Sequence, residues 1–249
     1  MEVFDVIVIG TLLGAAAVLY SSVGHGGASG YIAIMALFSL QPDVIRPIAL
    51  SLNVVVAGFA TWRFSQAGYV DWRSAIPILL ASMPFAFIGG SMDLPAHIYR
   101  PLLGTLLVFS AIYMVWSVTR SPRFYDCAKR KLPMIGSVSA GGTIGLFSGL
   151  SGIGGGVLLS PLFVIAGWAG ARQTAGIAAV FVLFNSLAGL VGNLAKVGGV
   201  PAQLAPWAAI VFAGSVVGTR LGVRSLPVKP LIIILAAAVL ISGLKFVLL

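Results

Sequence analysis

Gly145-Leu146-Phe147-Ser148-Gly149-Leu150-Ser151-Gly152-Ile153-Gly154-Gly155-Gly156-Val157-Leu158-Leu159-Ser160-Pro161-Leu162 runs without a single charge. A stretch this apolar suits lipid, where a helix needs roughly 20 such residues to cross about 30 Å of hydrocarbon. Yet Gly152, Gly154, Gly155 and Gly156 crowd its middle. Each glycine destabilises a helix by roughly 1 kcal/mol relative to alanine. Broken backbone at membrane depth is tolerated only inside protein or beside water. The stretch therefore predicts a helix that ends, a break enclosed by protein, and a second helix that starts.

The rest of the chain agrees. Of its 249 residues, 59% are hydrophobic and 8% are charged, against about 25% charged in soluble domains. Strand-like alternation is absent, so helices rather than a barrel are expected. Hydropathy predicts Val3–Ser22, a short piece Ser29–Leu40, then Pro47–Phe64, Ser74–Ser91 and Ile98–Val118. A second series follows: Pro133–Leu150, a short piece Val157–Trp168, Thr174–Leu194, Leu204–Gly222 and Pro230–Leu249. Glu2 and Asp5 open the chain with no early Lys or Arg, so the first segment is expected to stay as a helix rather than be cleaved as a signal. The fold class is all-α and polytopic.

The two series look like copies. Ser22-Val23-Gly24-His25-Gly26 stands 130 residues before Gly152-Ile153-Gly154-Gly155-Gly156, and Ala67-Gly68-Tyr69-Val70 the same distance before Val197-Gly198-Gly199-Val200. This predicts a first repeat over 1–118, a basic linker over 119–132 and a second repeat over 133–249. If the short pieces do not turn the chain back, Lys and Arg divide nine against six between the two sides. If they do, the division is eleven against four, which fits the positive-inside rule better. An odd number of passes per copy inverts the copies. The expectation is an inverted repeat with re-entrant or broken helices at the glycine motifs, a cytoplasmic linker and both termini outside.

A net charge of +9 would suggest nucleic acid in a soluble protein. Here the cations sit in loops and no basic face interleaved with aromatics exists, so no nucleic-acid partner is expected. Cys127 is the only cysteine, so no intrachain disulfide or CxxC pair forms. The sequence carries no HExxH, no GxxxxGK[ST] and only two histidines, which argues against an enzyme and against ATP-driven transport by this chain alone. No cofactor or metal is expected. The six acidic residues all lie outside the centres of the predicted helices, which disfavours a cation pathway.

The candidate site follows from the breaks. A helix start offers unpaired N–H groups and about half a positive charge, which suits an anion. Gly24, Gly26 and Gly27, with Gly154, Gly155 and Gly156, are the expected backbone donors, and Ser29 opens the first short helix. The competing account is close helix packing, which also covers the small-residue stripes Gly10/Gly14, Gly141/Gly145/Gly149 and Gly214/Gly218/Gly222. His25 would serve as a switchable charge or proton exchanger, or as a neutral histidine bonded to backbone. Ser51, Asn53, Thr61, Asn185, Ser186 and Asn193 are polar residues within helices. Of these, Ser51, Asn53, Asn185 and Ser186 are expected at the substrate, with Arg63, Asn193 and Lys196 at the mouths of the pathway. Helix–helix hydrogen bonding accounts for such amides equally, and snorkelling accounts for Arg63 and Lys196.

The quoted stretch, Gly145 to Leu162, resembles the second-repeat signature of the TauE/SafE family of sulfite and organosulfonate exporters, in the TSUP superfamily. The sequence around Val23-Gly24-His25-Gly26-Gly27 resembles a diverged first copy. The resemblance covers nearly the whole chain. It implies an inner-membrane permease for small sulfur-containing anions such as sulfite or sulfoacetate, with the motifs on the transport path. The partners expected are a small anion, the bilayer and a second copy in a homodimer. A passive anion channel and a non-transporting scaffold remain the alternatives, and solid packing of the glycine breaks would favour the scaffold.

Overall fold

The structure is a computed structural model and describes residues 3–92, 94–119, 133–166, 168–197, 204–224 and 229–248. The basic linker expected over 119–132 lies almost wholly outside the described residues, as do Gly198, Gly199 and Val200.

In lipid every backbone polar group must be satisfied within the protein, and the described residues meet this with ten helices. The first series is α1 (Val3–Ser22), α2 (Ala28–Leu37), α3 (Pro42–Gln66), α4 (Trp72–Ser91) and α5 (Ala96–Thr119). The second is α6 (Met134–Ser151), α7 (Gly156–Ile165), α8 (Ala171–Val197), α9 (Leu204–Arg224) and α10 (Lys229–Leu248). Among the described residues, five helices are long and apolar enough to cross a membrane: Asp5–Ser22, Asp43–Gln66, Trp72–Ser91, Arg172–Leu194 and Leu204–Val223. The chain is an all-α, multi-pass membrane protein.

Local chemistry sets the ends. Asp71 caps α4, its carboxylate accepting from Arg73 N–H at 3.2 Å and Ser74 Oγ–H at 2.9 Å. Pro42 occupies the first turn of α3, where its missing N–H costs nothing. That helix therefore starts earlier than the predicted Pro47, which lies inside it. The extra turns carry Arg46, expected as a loop charge, into a helix and into the protein interior.

The short helices α2 and α7 have 10 residues each, about 15 Å at 1.5 Å per residue, half of what a crossing needs. Residues Ala28 to Ala36 of α2 are all buried, so its start and body are enclosed by protein, while Leu37 and Phe38 at its end are exposed.

Small residues let the long helices touch. Gly10 faces Trp207 and Ile210, Gly218 faces Val18 and Ser21, and Gly222 faces Ser22. The numbers rise together, so α1 and α9 run parallel. Gly141 faces Ile78 and Ala81, Gly145 faces Ser82, and Gly149 faces Ala86 and Gly90, so α6 and α4 also run parallel. The pairing of α3 with α8 is opposite in sense: Leu50 meets Gly189, Asn53 meets Ser186, Gly58 meets Leu183 and, just past the end of α3, Tyr69 meets Gly176. Those two helices are antiparallel, with Asn53 and Ser186 near the midpoint of their contact.

Candidate functional site

The first break begins where α1 runs out of partners. His25 N–H reaches back to Tyr20 O at 2.9 Å, and Gly24 takes φ of 75°, a left-handed conformation that side-chain-bearing residues adopt at a cost of roughly 1–2 kcal/mol. The chain restarts at Ala28. Its N–H donates to Asn53 Oδ1 at 3.0 Å, so a side chain from α3 caps α2 in place of the usual local residue. Two tyrosines brace the turn: Tyr31 Oη donates to Gly26 O at 2.9 Å, and Ser29 Oγ donates to Tyr20 Oη at 2.7 Å.

The second break has the same logic with different residues. Gly152 N–H still donates to Ser148 O at 2.9 Å. Gly154 and Gly155 both have φ of 80°, and α7 restarts with Leu159 N–H on Gly155 O at 2.9 Å. Tyr99 Oη from α5 donates to Ser151 O at 3.3 Å.

The structure brings the two breaks together. Asn53 Nδ2 donates to Ile153 O at 3.3 Å and to Ser186 Oγ at 3.2 Å. One fully buried amide thus ties α2, α3, α8 and the second break. A Cβ added to Gly26 would collide with Asn53 Oδ1, and one added to Gly154 would collide with Asn53 Nδ2. Glycine at both positions is what lets the amide reach both chain segments. His25 makes the second link. Its Nε2 lies 2.7 Å from Ser160 Oγ, while Ser160 Oγ lies 2.9 Å from Gly156 O. A hydroxyl has one proton. With that proton on Gly156 O, His25 donates from Nε2–H.

The remaining expected residues fall into separate places. Ser51 is buried, and its Oγ has no hydrogen-bond partner among the described residues. Asn185 is fully buried, and neither Oδ1 nor Nδ2 has a partner among the described residues. Thr61 Oγ1 and Asn193 Oδ1 are in the same condition, so Asn193, expected at a mouth, is buried. Arg63 is half-buried with its guanidinium 6.0 Å from the centre of the Trp62 ring, the posture of an interfacial anchor. The side chain of Lys196 lies outside the described residues. An apolar groove of about 640 Å³ runs between α5, α6 and α7, lined in part by Phe109, Ala140, Ile144 and Leu162. It does not include His25, Asn53 or Asn185.

Sequence reasoning missed Ser160, Tyr20, Tyr31 and Arg46. The buried Arg46 donates from Nε to Gly149 O at 3.2 Å, from Nη1 to Met92 O at 3.1 Å, and from Nη2 to the carbonyls of Gly89, Gly90 and Gly149. These carbonyls are at the C-terminal ends of α4 and α6, where helix dipoles concentrate negative charge. The guanidinium therefore closes two helix ends at once. A signal for it existed: a cation in the second turn of a helix sits at the unfavourable end of its own dipole, so another partner was required.

The comparisons agree with this architecture. The family model described as sulfite exporter TauE/SafE matches residues 7–246. A protein of Sinorhizobium fredii named "Probable membrane transporter protein y4hK" is 40% identical over 92% of this chain and 93% of its own length. A "Probable membrane transporter protein" of Methanocaldococcus jannaschii is 26% identical over 76% of this chain and 71% of its own length. The "Probable membrane transporter protein MamO" of Magnetospirillum gryphiswaldense is 26% identical over 98% of this chain but only 45% of its own length. No solved structure matches the chain. With the family signature running from α1 through α10 and both glycine breaks inside it, the chain belongs to the sulfite exporter TauE/SafE family of membrane proteins.

Proposed function

We propose that this chain is a secondary permease that exports small sulfur-containing anions, such as sulfite, sulfoacetate or other organosulfonates, across the inner membrane. The observation that carries the reading is the meeting of the two glycine breaks around Asn53 and His25. Each break opens onto a new helix start, and helix starts attract anions without a fixed cation. Among the described acidic residues, Asp5 and Asp43 lie in the first turns of α1 and α3, and Asp71 caps α4. Sulfur chemistry and export come from the family description alone.

Alternating access is the transport mode that we infer, and the helix pairing supports it. The parallel pair α1 and α9 corresponds to the parallel pair α6 and α4, and the corresponding helices α3 and α8 run antiparallel. This supports two inverted repeats, 1–118 and 133–249, and the division of Lys and Arg between the two sides is what favours a cytoplasmic linker with both termini outside. Transport follows from rocking one repeat against the other about a site at their junction. Gly24, His25, Gly26, Gly27, Ser29 and Ser51 would face it from the first repeat, and Gly154, Gly155, Gly156, Asn185 and Ser186 from the second.

One observation favours the non-transporting scaffold. Both breaks are closely packed, with no room for a methyl group at Gly26 or Gly154. A carrier passes through an occluded state of this kind, and a scaffold stays in it. Purified protein challenged with sulfite, sulfate, thiosulfate, sulfoacetate and taurine separates the two. A ligand bound only by the folded state stabilises it by about 2.7 kcal/mol at a hundredfold excess over Kd. A raised melting point with sulfite or a sulfonate, and efflux of the same anion from proteoliposomes, is expected. Stabilisation by cations or neutral solutes alone would overturn the anion reading, and no efflux of any panel member would leave the scaffold.

A further inference from the structure

Asn53 and Asn185 stand at comparable places in α3 and α8, yet they do opposite things. The Asn53 amide is engaged on both sides, by Ala28 N–H on Oδ1 and by Ile153 O and Ser186 Oγ on Nδ2. Asn185 has no solvent exposure, and neither of its amide atoms has a partner among the described residues. Leaving a buried polar group unpaired costs about 1–3 kcal/mol, and native proteins rarely keep one without a reason.

Neighbours on the same face of α8 bracket where Asn185 points. One turn earlier, Phe181 packs 2.8 Å from where a Cβ on Gly155 would be. One turn later, Gly189 lies against Gly149. Asn185 therefore faces the end of α6 and the second break, between Gly149 and Gly155. Ser148 reaches the same spot from α6. Its Cβ is 3.2 Å from the position of a Gly155 Cβ, and its fully buried Oγ also has no partner among the described residues. A serine hydroxyl in a helix can turn onto its own backbone. An amide with two donors and two acceptor sites has no such escape. At this spot α7 begins, and its first N–H groups lack intrahelical acceptors.

We infer that Asn185, with Ser148, holds the polar head of the permeant oxyanion at the second break, and that Asn53 is a structural tie which touches no substrate. This rests on the anion-permease reading and assigns the work unequally between the repeats. The first break is sealed by an amide of the protein. The second presents an amide N–H pair and a hydroxyl to the oxygens of a small anion.

The test compares Asn185→Ala, Asn185→Asp, Ser148→Ala and Asn53→Ala in full-length protein. Two quantities are read: the ligand-free melting midpoint, and the half-saturating sulfite or sulfoacetate concentration from the thermal shift. Asn185→Ala is expected to melt no lower than the parent and to bind about tenfold more weakly or worse, the loss expected for a hydrogen bond to a charged group. Ser148→Ala should weaken binding less. Asn53→Ala should lower the ligand-free midpoint. Unchanged binding by Asn185→Ala overturns the inference, and so does a ligand-free midpoint as low as that of Asn53→Ala. If the alanine variant does not fold, Asn185→Asp keeps the side-chain shape without the N–H donors, and its retention of binding is equally fatal. A parent protein that responds to no anion overturns the permease reading itself and this assignment with it, whereas a responsive parent with an equally responsive Asn185→Ala overturns only the assignment.

Discussion

Replacing Arg46 by methionine keeps an unbranched stem, though a shorter one, and removes five hydrogen bonds donated to the carbonyls of Gly89, Gly90, Met92 and Gly149. Two magnitudes compete. Hydrogen bonds to charged groups are worth about 1.5–3 kcal/mol each in soluble proteins, and five would sum to more than many domains have in total, about 5–15 kcal/mol. Within membranes the measured average is about 0.6 kcal/mol per interaction, because the unfolded reference also finds partners. That figure gives about 3 kcal/mol for five bonds, and we take it because burying the guanidinium offsets part of the gross gain. Lysine offers three donors on a point charge, so Arg46→Lys retains at most three of the five bonds and loses about 1 kcal/mol on the same scale. Thermal unfolding in detergent should rank the parent above Arg46→Lys and Arg46→Lys above Arg46→Met. The gap from parent to methionine is on the order of 6–12 °C by the scaling for chains of this size. A methionine variant as stable as the lysine variant would refute the reasoning, because it would show that the carbonyl ends of α4 and α6 need no cation.

Two further outcomes follow from the geometry of the breaks. Gly154→Ala combines a left-handed backbone, worth roughly 1–2 kcal/mol in a residue with a Cβ, with a collision against Asn53 Nδ2 and Ser186 Oγ. It should lower the yield of monodisperse protein on size exclusion more than Gly68→Ala. Gly68 shares the positive φ but has open space around it, so equal yields would remove the collision from the account. His25→Phe deletes the link to Ser160 and should cost about 1 kcal/mol in the melting midpoint, with His25→Gln recovering part of it through its amide donor. A glutamine variant no better than phenylalanine would show that the bond to Ser160 contributes nothing measurable.

The places of the breaks were legible in the sequence because a cluster of glycines cannot hold a helix together in an uncharged run. The φ values of 75–104° at Gly24, Gly27, Gly152, Gly154 and Gly155 are what only glycine adopts cheaply. Gly10, Gly14, Gly141, Gly145, Gly149, Gly214, Gly218 and Gly222 were readable as contact stripes from their spacing, and each meets a neighbouring helix. The roles of individual polar residues were not readable. Asn53 and Asn185 occupy similar, though not identical, places in the two copies, and only their surroundings separate a saturated amide from one without a partner among the described residues.

Composition and periodicity by themselves decided the solvent, since 59% hydrophobic residues with 8% charged leave lipid as the environment in which the chain folds, and lipid in turn dictates helices. They also decided where the helices must fail. What the tertiary structure alone decided is which residues meet across distance: Asn53 with Ile153 and Ser186, His25 with Ser160, and Arg46 with Gly89 and Gly149. Those partners lie 43 to 135 residues apart. Local propensity carries no information over that range, and a single polar side chain in an apolar run names its need for a partner but not the partner.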